Sequence, residues 1–319
     1  MKMFTDMKIL IDPKGRKYIF KGEDMHTKDG MIKADEINNC DVGGTVKTHM
    51  GTEYAVIHPN ITDIMQKARR GPQAITLKDA SLIVGYANLH FGSKVLNSGT
   101  GSGILDIFLA HIVYPEKVIS YEIRDDFAKI AGKNFERFGI DNVEIKMKNI
   151  YEGIDEENLD AVILDLPEPW LVIPHAVKKL KIGGILISFS PSIEQSKKFH
   201  DALNINFLQE TYECVLRDWD MKVVRPCSRM IAHTGFITVA RLISRNKEVK
   251  KSEEEQKDVK ESEEEKEDVK ESEEEKKDVK SENRDEQTDI KSENNEAQTD
   301  VEKENDEAQT DIESENKEV

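Results

Sequence analysis

The sequence predicts an α/β fold: a doubly wound, mostly parallel sheet with a small N-terminal β-domain and a disordered acidic C-terminal tail. Three observations predict it. From Lys94 onward, short apolar runs of strand character alternate with helical stretches, the pattern of strands joined by crossover helices. The first of these strands runs through Val95-Leu96-Asn97-Ser98 into Gly99-Thr100-Gly101-Ser102-Gly103, and a helix begins at Ile104. After Arg245 the composition changes abruptly to charged repeats.

Residues 1–59 alternate short strands with turn signals. Lys8–Ile11, Lys17–Phe20, Met31–Lys33, Thr45–Thr48 and Tyr54–Ile57 are the strands, punctuated by Asp12-Pro13-Lys14-Gly15, Lys28-Asp29-Gly30 and Gly43-Gly44. This reads as a small antiparallel sheet or barrel that packs on the main domain or on a neighbouring subunit. Residues 60–245 form the main domain. Asn60–Arg70 reads as a helix capped by Asn60 or Thr62, and Asp79 is read as the cap of a helix over Ala80–Leu89. Lys117–Tyr121 is the second strand of the sheet and ends at Glu122, before a helix over Arg124–Phe138. Val143–Met147, Leu159–Leu164 and Ile185–Phe189 are strands, with helices over Leu171–Leu180 and Ile193–Leu203. Leu159–Leu164 is continuously apolar, as a strand buried on both faces must be. Thr211–Leu216 and Gly235–Leu242 complete the sheet, with one strand antiparallel.

Residues 246–319 carry 14 basic and 31 acidic residues, which accounts for the whole net charge of −17. The body of the chain therefore balances, and the acidic pI says nothing against a polyanionic partner. In the tail, Val259, Val269 and Val279 recur every ten residues, and Ile290, Val301 and Ile312 every eleven. One aliphatic side chain per repeat cannot offset the entropy of ordering the chain, so the tail is expected to be disordered. Cys40, Cys214 and Cys227 are odd in number and widely spaced, which is neither a disulfide framework nor a metal pattern. Free thiols in a reducing, cytoplasmic compartment follow, although Cys214 and Cys227 could pair if they lie on neighbouring strands. No apolar run approaches the length of a membrane span.

The chemistry sits at three strand ends. A glycine loop between strand and helix lets a ligand approach the backbone, and the helix start offers N–H groups. The acidic Glu122 ends the next strand, about 20 residues on, placed to accept from a ribose diol. The third feature, Asp165-Leu166-Pro167-Glu168-Pro169-Trp170, decides between cofactors. A nicotinamide enzyme does not need it, and no catalytic His or Lys constellation accompanies the loop. Methyl transfer to a ring nitrogen such as adenine N1 does need it. An acceptor fixed at a strand end can hold the neighbouring amine and align the nitrogen with a methyl donor. The prolines stiffen the loop after Asp165. Trp170 reads as a stacking surface for a base or as an ordinary core residue.

These residues resemble the tRNA (adenine-N1)-methyltransferases that act on the T-loop, the archaeal branch of which modifies positions 57 and 58. The matching stretches are Arg70-Gly71-Pro72-Gln73 with Lys78-Asp79, Gly99–Gly103, Ser120–Arg124 with Asp126-Phe127-Ala128, Tyr151–Ile154, Val162–Trp170, Arg225-Pro226 and His233–Phe236. The resemblance implies a class I methyltransferase sheet, S-adenosylmethionine as methyl donor, tRNA as substrate and a homotetramer. The cysteine spacing and the lack of a long apolar run add the expectation of no metal and no membrane association. It implies that Gly99, Thr100, Gly101, Ser102, Gly103 and Ile104 line the methionine side of the cofactor, that Glu122 holds its ribose and that Asn149 and Ile150 meet its adenine. Asp165 then touches cofactor and target base and is the catalytic residue. Lys78, Trp170, Arg225, His233 and Thr234 are implied on the substrate side, with Lys67, Arg69, Arg70, Arg225 and Arg229 as candidate phosphate contacts.

Three positions depart from the family pattern. Asn97 stands where an acidic residue usually precedes the glycine loop, Asn149 where one often meets the adenine, and Thr76 where an aromatic residue or histidine is usual. They keep open a non-catalytic tRNA-binding subunit, and a methyltransferase for another substrate is a separate alternative.

Overall fold

The computed structural model describes residues 7–71, 73–230 and 233–245; the tail over 246–319 lies outside the described residues. Four short strands, β1 (Ile9–Ile11), β2 (Lys17–Ile19), β5 (Thr45–Lys47) and β6 (Glu53–Ile57), pair antiparallel in the order β2-β1-β6-β5. Between them lie the hairpin β3 (Met25–Thr27) and β4 (Gly30–Ile32), and the helix α1 (Ala34–Asn39). β3 and α1 have no counterpart in the sequence reading. Three-residue strands and a six-residue helix are too short to establish a hydrophobic period. Leu10, Ile32, Ile37, Val46, Tyr54 and Val56 form a small separate core. Met7 and Ile19 pack on the core of the main domain, and Lys17 Nζ pairs with the buried Asp63 at 2.5 Å. The small sheet therefore rests on the main domain.

Asn60 caps α2 (Ile61–Lys67) through a reciprocal pair of bonds with Asp63, a capping box in which each side chain satisfies the other's backbone donor. The next helix, α3 (Leu77–Tyr86), starts earlier than expected. Its cap position is Thr76, and Asp79 lies in the first turn. The Asp79 carboxylate is instead held by Thr76 Oγ1 at 2.6 Å and Lys78 Nζ at 2.7 Å.

The remainder alternates strand and helix: β7 (Val95–Ser98), α4 (Ile104–Val113), β8 (Val118–Glu122), α5 (Asp125–Phe138), β9 (Val143–Met147), β10 (Leu159–Leu164), α6 (Ile173–Lys179), β11 (Leu180–Ser190), α7 (Ile193–Ala202) and β12 (Phe207–Glu213), the last beginning four and ending three residues before the strand expected over Thr211–Leu216. A two-stranded hairpin follows, β13 (Trp219–Asp220) and β14 (Arg225–Pro226), and then β15 (Phe236–Leu242). The seven-stranded sheet has the order β12-β15-β11-β10-β7-β8-β9, and β15 alone runs antiparallel to its neighbours. β11 begins five residues before its expected start, because Leu180 already pairs with Leu159 across an irregularity in the register. α6 is correspondingly preceded by a 3-10 turn over Pro169–Val172.

Alternation along β10 shows how the sheet is covered. Ala161 and Ile163 face the core shared with α2, α3, α4 and α5, while Val162 and Leu164 face the core shared with α6 and α7. Chain order reverses between β7 and β10. In such sheets ligands bind outside the carboxyl ends of the strands at that switch point. The glycine loop leaves β7 there and Asp165 leaves β10 there. All three cysteines are free. Among the described residues no helix is long and apolar enough to cross a membrane.

Candidate active site

The glycine loop is built by backbone geometry. Gly101 and Gly103 have φ of 56° and 76°, values that side-chain-bearing residues rarely adopt. At Gly103 a Cβ would also lie 2.7 Å from the ring of Phe135. The missing side chain is what lets α4 start against α5. Asn134, buried on α5, ties this loop to the segment before α3. Its Oδ1 accepts from Arg69 N at 2.9 Å, and its Nδ2 donates to the carbonyls of Arg69 and Ser102, both at 2.9 Å. Sequence reasoning missed Asn134, whose role depends on three contacts distant in the chain.

Glu122 is buried, and its carboxylate organises the loop from the neighbouring strand. Oε2 accepts from Gly101 N at 3.0 Å, and Oε1 from Ile123 N and Arg124 N at 2.9 Å each. Three donors leave part of the carboxylate's accepting capacity unused. Glu122 lines a cavity with Gly99, Asn149, Ile150, Tyr151 and Leu166. Asn149 caps the 3-10 turn Ile150–Glu152 by accepting from Tyr151 N at 3.1 Å. The sequence-derived residues Gly99, Glu122, Asn149 and Ile150 thus share one cavity. Gly99, Thr100, Gly101, Ser102, Ile104 and Asp165 share the adjoining one. Beside β7, Thr100 Oγ1 and Ser120 Oγ are 2.7 Å apart.

Asp165 is half-buried, with its amide on Ser98 O at 2.6 Å. Burial alone pushes its pKa up to about 6. Asp165 lies in the wall between the glycine-loop cavity and a second one, which is lined by Thr76, Asp79, Phe189, Pro191 and Thr234. Gln73, Ala74 and Ile75 border both. Gln195 Nε2 pins the loop after Asp165 by donating to the carbonyls of Leu166 at 2.9 Å and Pro167 at 2.6 Å.

The second cavity is assembled from side chains of distant segments. Lys78 Nζ donates to Asp79 Oδ1, to Cys214 O at 2.7 Å and to Thr234 Oγ1 at 2.5 Å, and its side chain is only 8% exposed. Lys78 therefore holds Thr234 at the cavity and has its own donors engaged. His233, next to Thr234 in the chain, contacts Glu213 Oε1 at 2.7 Å and Pro191 O at 3.0 Å; both raise its pKa. At Gly235 a Cβ would overlap the Phe189 ring, so this glycine lets the wall close. Phe189 and Pro191 went unnoticed in the sequence because the end of β11 carries no polar motif.

Trp170 and Arg225 are not brought to these cavities. Trp170 packs at the edge of the α6–α7 core with Lys198 Nζ 3.9 Å over its ring, the core alternative of the sequence reading. Arg225 lies exposed on the β13–β14 hairpin. A larger cavity of about 870 Å³ opens around Tyr86, Lys181 and Arg241. It lies at the amino ends of β10 and β11, where this sheet type does not bind its ligands.

Comparison with known proteins adds an independent line. The family model described as tRNA methyltransferase complex GCD14 subunit matches residues 65–225. The chain is 35% identical over 269 residues to the tRNA (adenine(57)-N(1)/adenine(58)-N(1))-methyltransferase TrmI of Methanocaldococcus jannaschii, covering 74% of this chain and 94% of that protein. It is 31% identical over 243 residues to the tRNA (adenine(58)-N(1))-methyltransferase TrmI of Thermus thermophilus, covering 73% of this chain and 95% of that one. A solved SAM-dependent O-methyltransferase of Thermotoga maritima superposes with a TM-score of 0.69 at 30% identity, covering 78% and 96% of the two chains. The tRNA (m1A58) methyltransferase TrmI of Aquifex aeolicus, at 24% identity, shares the fold with a TM-score of 0.65 over 77% and 99%.

Proposed function

The chain belongs to the tRNA (adenine-N1)-methyltransferase family, and from that premise we propose that it methylates N1 of a T-loop adenine in tRNA, at position 58 and also at 57, with S-adenosylmethionine as donor. The observation that carries this reading is the place of Asp165, in the wall between a glycine-loop cavity and a second cavity at the switch point of the sheet.

The residues present fit the cofactor. The start of α4 and the glycine loop form a backbone cradle free of Cβ atoms at Gly99 and Gly101, suited to a methionine end. Glu122 has spare acceptor capacity for a ribose diol, and Ile150 offers an apolar surface beside the Asn149 amide. When bound there, the cofactor supplies a sulfonium methyl. The adenine N1 lone pair forms the new N–C bond as the C–S bond breaks, leaving a thioether and a cationic base.

The chain's part is positioning and charge. An ionised Asp165 accepts from the exocyclic amine and so holds N1 toward the glycine-loop side. The same carboxylate stabilises the positive charge that grows on the ring, an interaction stronger in the transition state than in the ground state. Thr234, fixed by Lys78, and Gln73 supply polar edges on the base side. The base must leave its stack to enter, so RNA shape contributes to recognition. Exposed Arg69 and Arg70 begin the segment that lines both cavities, which suits phosphate contacts at the mouth.

A homotetramer is part of the reading. Its support is the hairpin region, where Val215, Leu216, Trp219, Met221, Val223 and Val224 are each more than half exposed, a patch suited to a protein interface. Light scattering that gives a monomeric mass would overturn this. A cytoplasmic location is supported by the three free cysteines.

Methyl transfer from labelled S-adenosylmethionine to a tRNA transcript, mapped by nucleoside analysis, tests the activity. Expected is N1-methyladenosine confined to the T-loop, with Asp165→Ala reducing turnover about 100- to 1,000-fold while cofactor binding persists. Transfer to a small molecule or a protein in place of tRNA would favour a different substrate. tRNA binding with neither cofactor binding nor transfer would favour the non-catalytic subunit.

A further inference from the structure

A buried polar cluster lies beneath the glycine loop, and the chemistry proposed above does not use it. Asn97 on β7 and Asp106 in the first turn of α4 face each other, both with no solvent exposure. Asn97 Nδ2 donates to Asp106 Oδ1 at 2.8 Å. The other oxygen of each side chain, Asn97 Oδ1 and Asp106 Oδ2, is buried without a hydrogen-bond partner. Neither residue lines the glycine-loop cavity or the Glu122 cavity. A cofactor ammonium in the cleft therefore does not reach them as they stand.

Two unpartnered acceptors on two side chains that already touch are short of one hydrogen. Leaving either unsatisfied costs about 1–3 kcal/mol, and more where the group is charged. A single proton on Asp106 removes both deficits. We infer that Asp106 is a neutral carboxylic acid in the folded protein and forms a two-way acid–amide pair with Asn97, a positioning device under the cofactor loop. Asn97 Nδ2–H donates to Asp106 Oδ1, and the acid O–H donates from Oδ2 to Asn97 Oδ1.

The surroundings agree. The groups acting on Asp106 are Asn97 from β7, and Ser120 and Glu122 from β8; no cation is among them. Burial is the dominant influence and pushes its pKa up to about 7. The Asn97 hydrogen bond and the nearby Ser120 hydroxyl oppose this by favouring the anion, and the Glu122 charge adds to the rise. The departure at position 97 then has a physical account. An amide stands where an acid is usual in the family, and an acid on the facing helix supplies its second partner.

The pair also connects to the loop. Ser120 Oγ, which faces Asp106, is the 2.7 Å partner of Thr100 Oγ1 within the glycine loop. A negative charge on Asp106 would set two oxygens against each other below the loop and draw Ser120 away from Thr100. A proton held in the folded state up to about pH 7, but only to about pH 4 in the unfolded chain, makes stability fall as pH rises through that window. Above it the loss is complete. Cofactor affinity should fall over the upper part of the same window. This second consequence rests on the proposed use of the loop; the protonation state does not.

The test uses the full chain. The carboxyl carbon-13 signal of Asp106, assigned by its absence in Asp106→Asn, should report a neutral acid at pH 6 and titrate near neutrality. Asp106→Asn builds an amide–amide pair of the same shape. It should lessen the decline in thermal stability between pH 4 and 7, most clearly between pH 6 and 7 above the Asp165 titration, and hold S-adenosylmethionine affinity level from pH 6 to 8, where the wild-type protein weakens severalfold. A carboxyl ionised at pH 5 overturns the proposal. So does an Asp106→Asn affinity loss of about tenfold or more at pH 6, which would mark Asp106 as an anionic counter-charge to the cofactor. Absence of cofactor binding in every variant would count against the proposed function, while the carbon-13 signal would still decide the acid–amide pair.

Discussion

The two sides of Asp165 are built in opposite ways. On the glycine-loop side, position is set by the backbone: glycines at φ values of 56° and 76°, a carboxylate accepting three amides, and an asparagine stapling two segments. On the far side, position is set by side chains from α3, β11 and the segment before β15, joined through Lys78 and Thr234. The first arrangement is fixed by backbone hydrogen bonds, with spare acceptor capacity left at Glu122, and suits one invariant ligand. The second leaves polar edges at Thr234 and Gln73 and a carboxylate whose burial is not offset by any partner. That suits a ligand which arrives, is aligned and departs. The difference teaches where binding energy and where turnover should be sensitive.

The sharpest way to separate the sides is pH. Burial raises the Asp165 pKa to about 6, and the base-side role needs the ionised form. As pH falls through this value the carboxylate gains a proton and loses its ability to accept from the amine. The kcat/KM profile reports the free enzyme, so it should drop about tenfold per pH unit below pH 6, reaching about 100-fold at pH 4 in protein that is still folded. Cofactor affinity, which the proposed reading assigns mainly to the backbone and Glu122, should change far less. A level profile between pH 5 and 7 would remove Asp165 from the reaction.

The same contrast explains what was legible in the sequence. Backbone-built sites leave a local signature. Glycine is required at 103, where a Cβ would meet Phe135, and at 101, where φ is positive, and an acid ends the next strand, so Gly99–Gly103 and Glu122 were readable in order. The strand ends were readable because β7, β8 and β10 are apolar runs with sharp stops. Side-chain-built sites leave no such trace. Nothing local says that Lys78 reaches Thr234, 156 positions away, or that Phe189 closes a wall because residue 235 is a glycine. Trp170 shows the opposite case. It belongs to a recognisable motif, yet its ring packs at the edge of a core beneath Lys198. The buried Asn97–Asp106 contact was half legible, since the departure at Asn97 is visible in the sequence but its partner on the next helix is not.

Asn134 sharpens the comparison from the cofactor side, with a smaller effect. Its amide satisfies Arg69 N, Arg69 O and Ser102 O at once, and it belongs to no motif that marks the site. Asn134→Ala leaves buried backbone groups unpaired, so the protein should lose about 1–3 kcal/mol of stability in urea unfolding. It also frees the glycine loop from the segment bearing Gln73–Ile75, which borders both cavities. S-adenosylmethionine binding measured by calorimetry should therefore weaken severalfold. Turnover at saturating cofactor should change less, because Asp165 is held by Ser98 and by the Gln195-pinned loop and not by Asn134. A variant with normal cofactor affinity and a large loss of turnover would reverse the assignment, placing the loop-to-segment staple on the base side of the site.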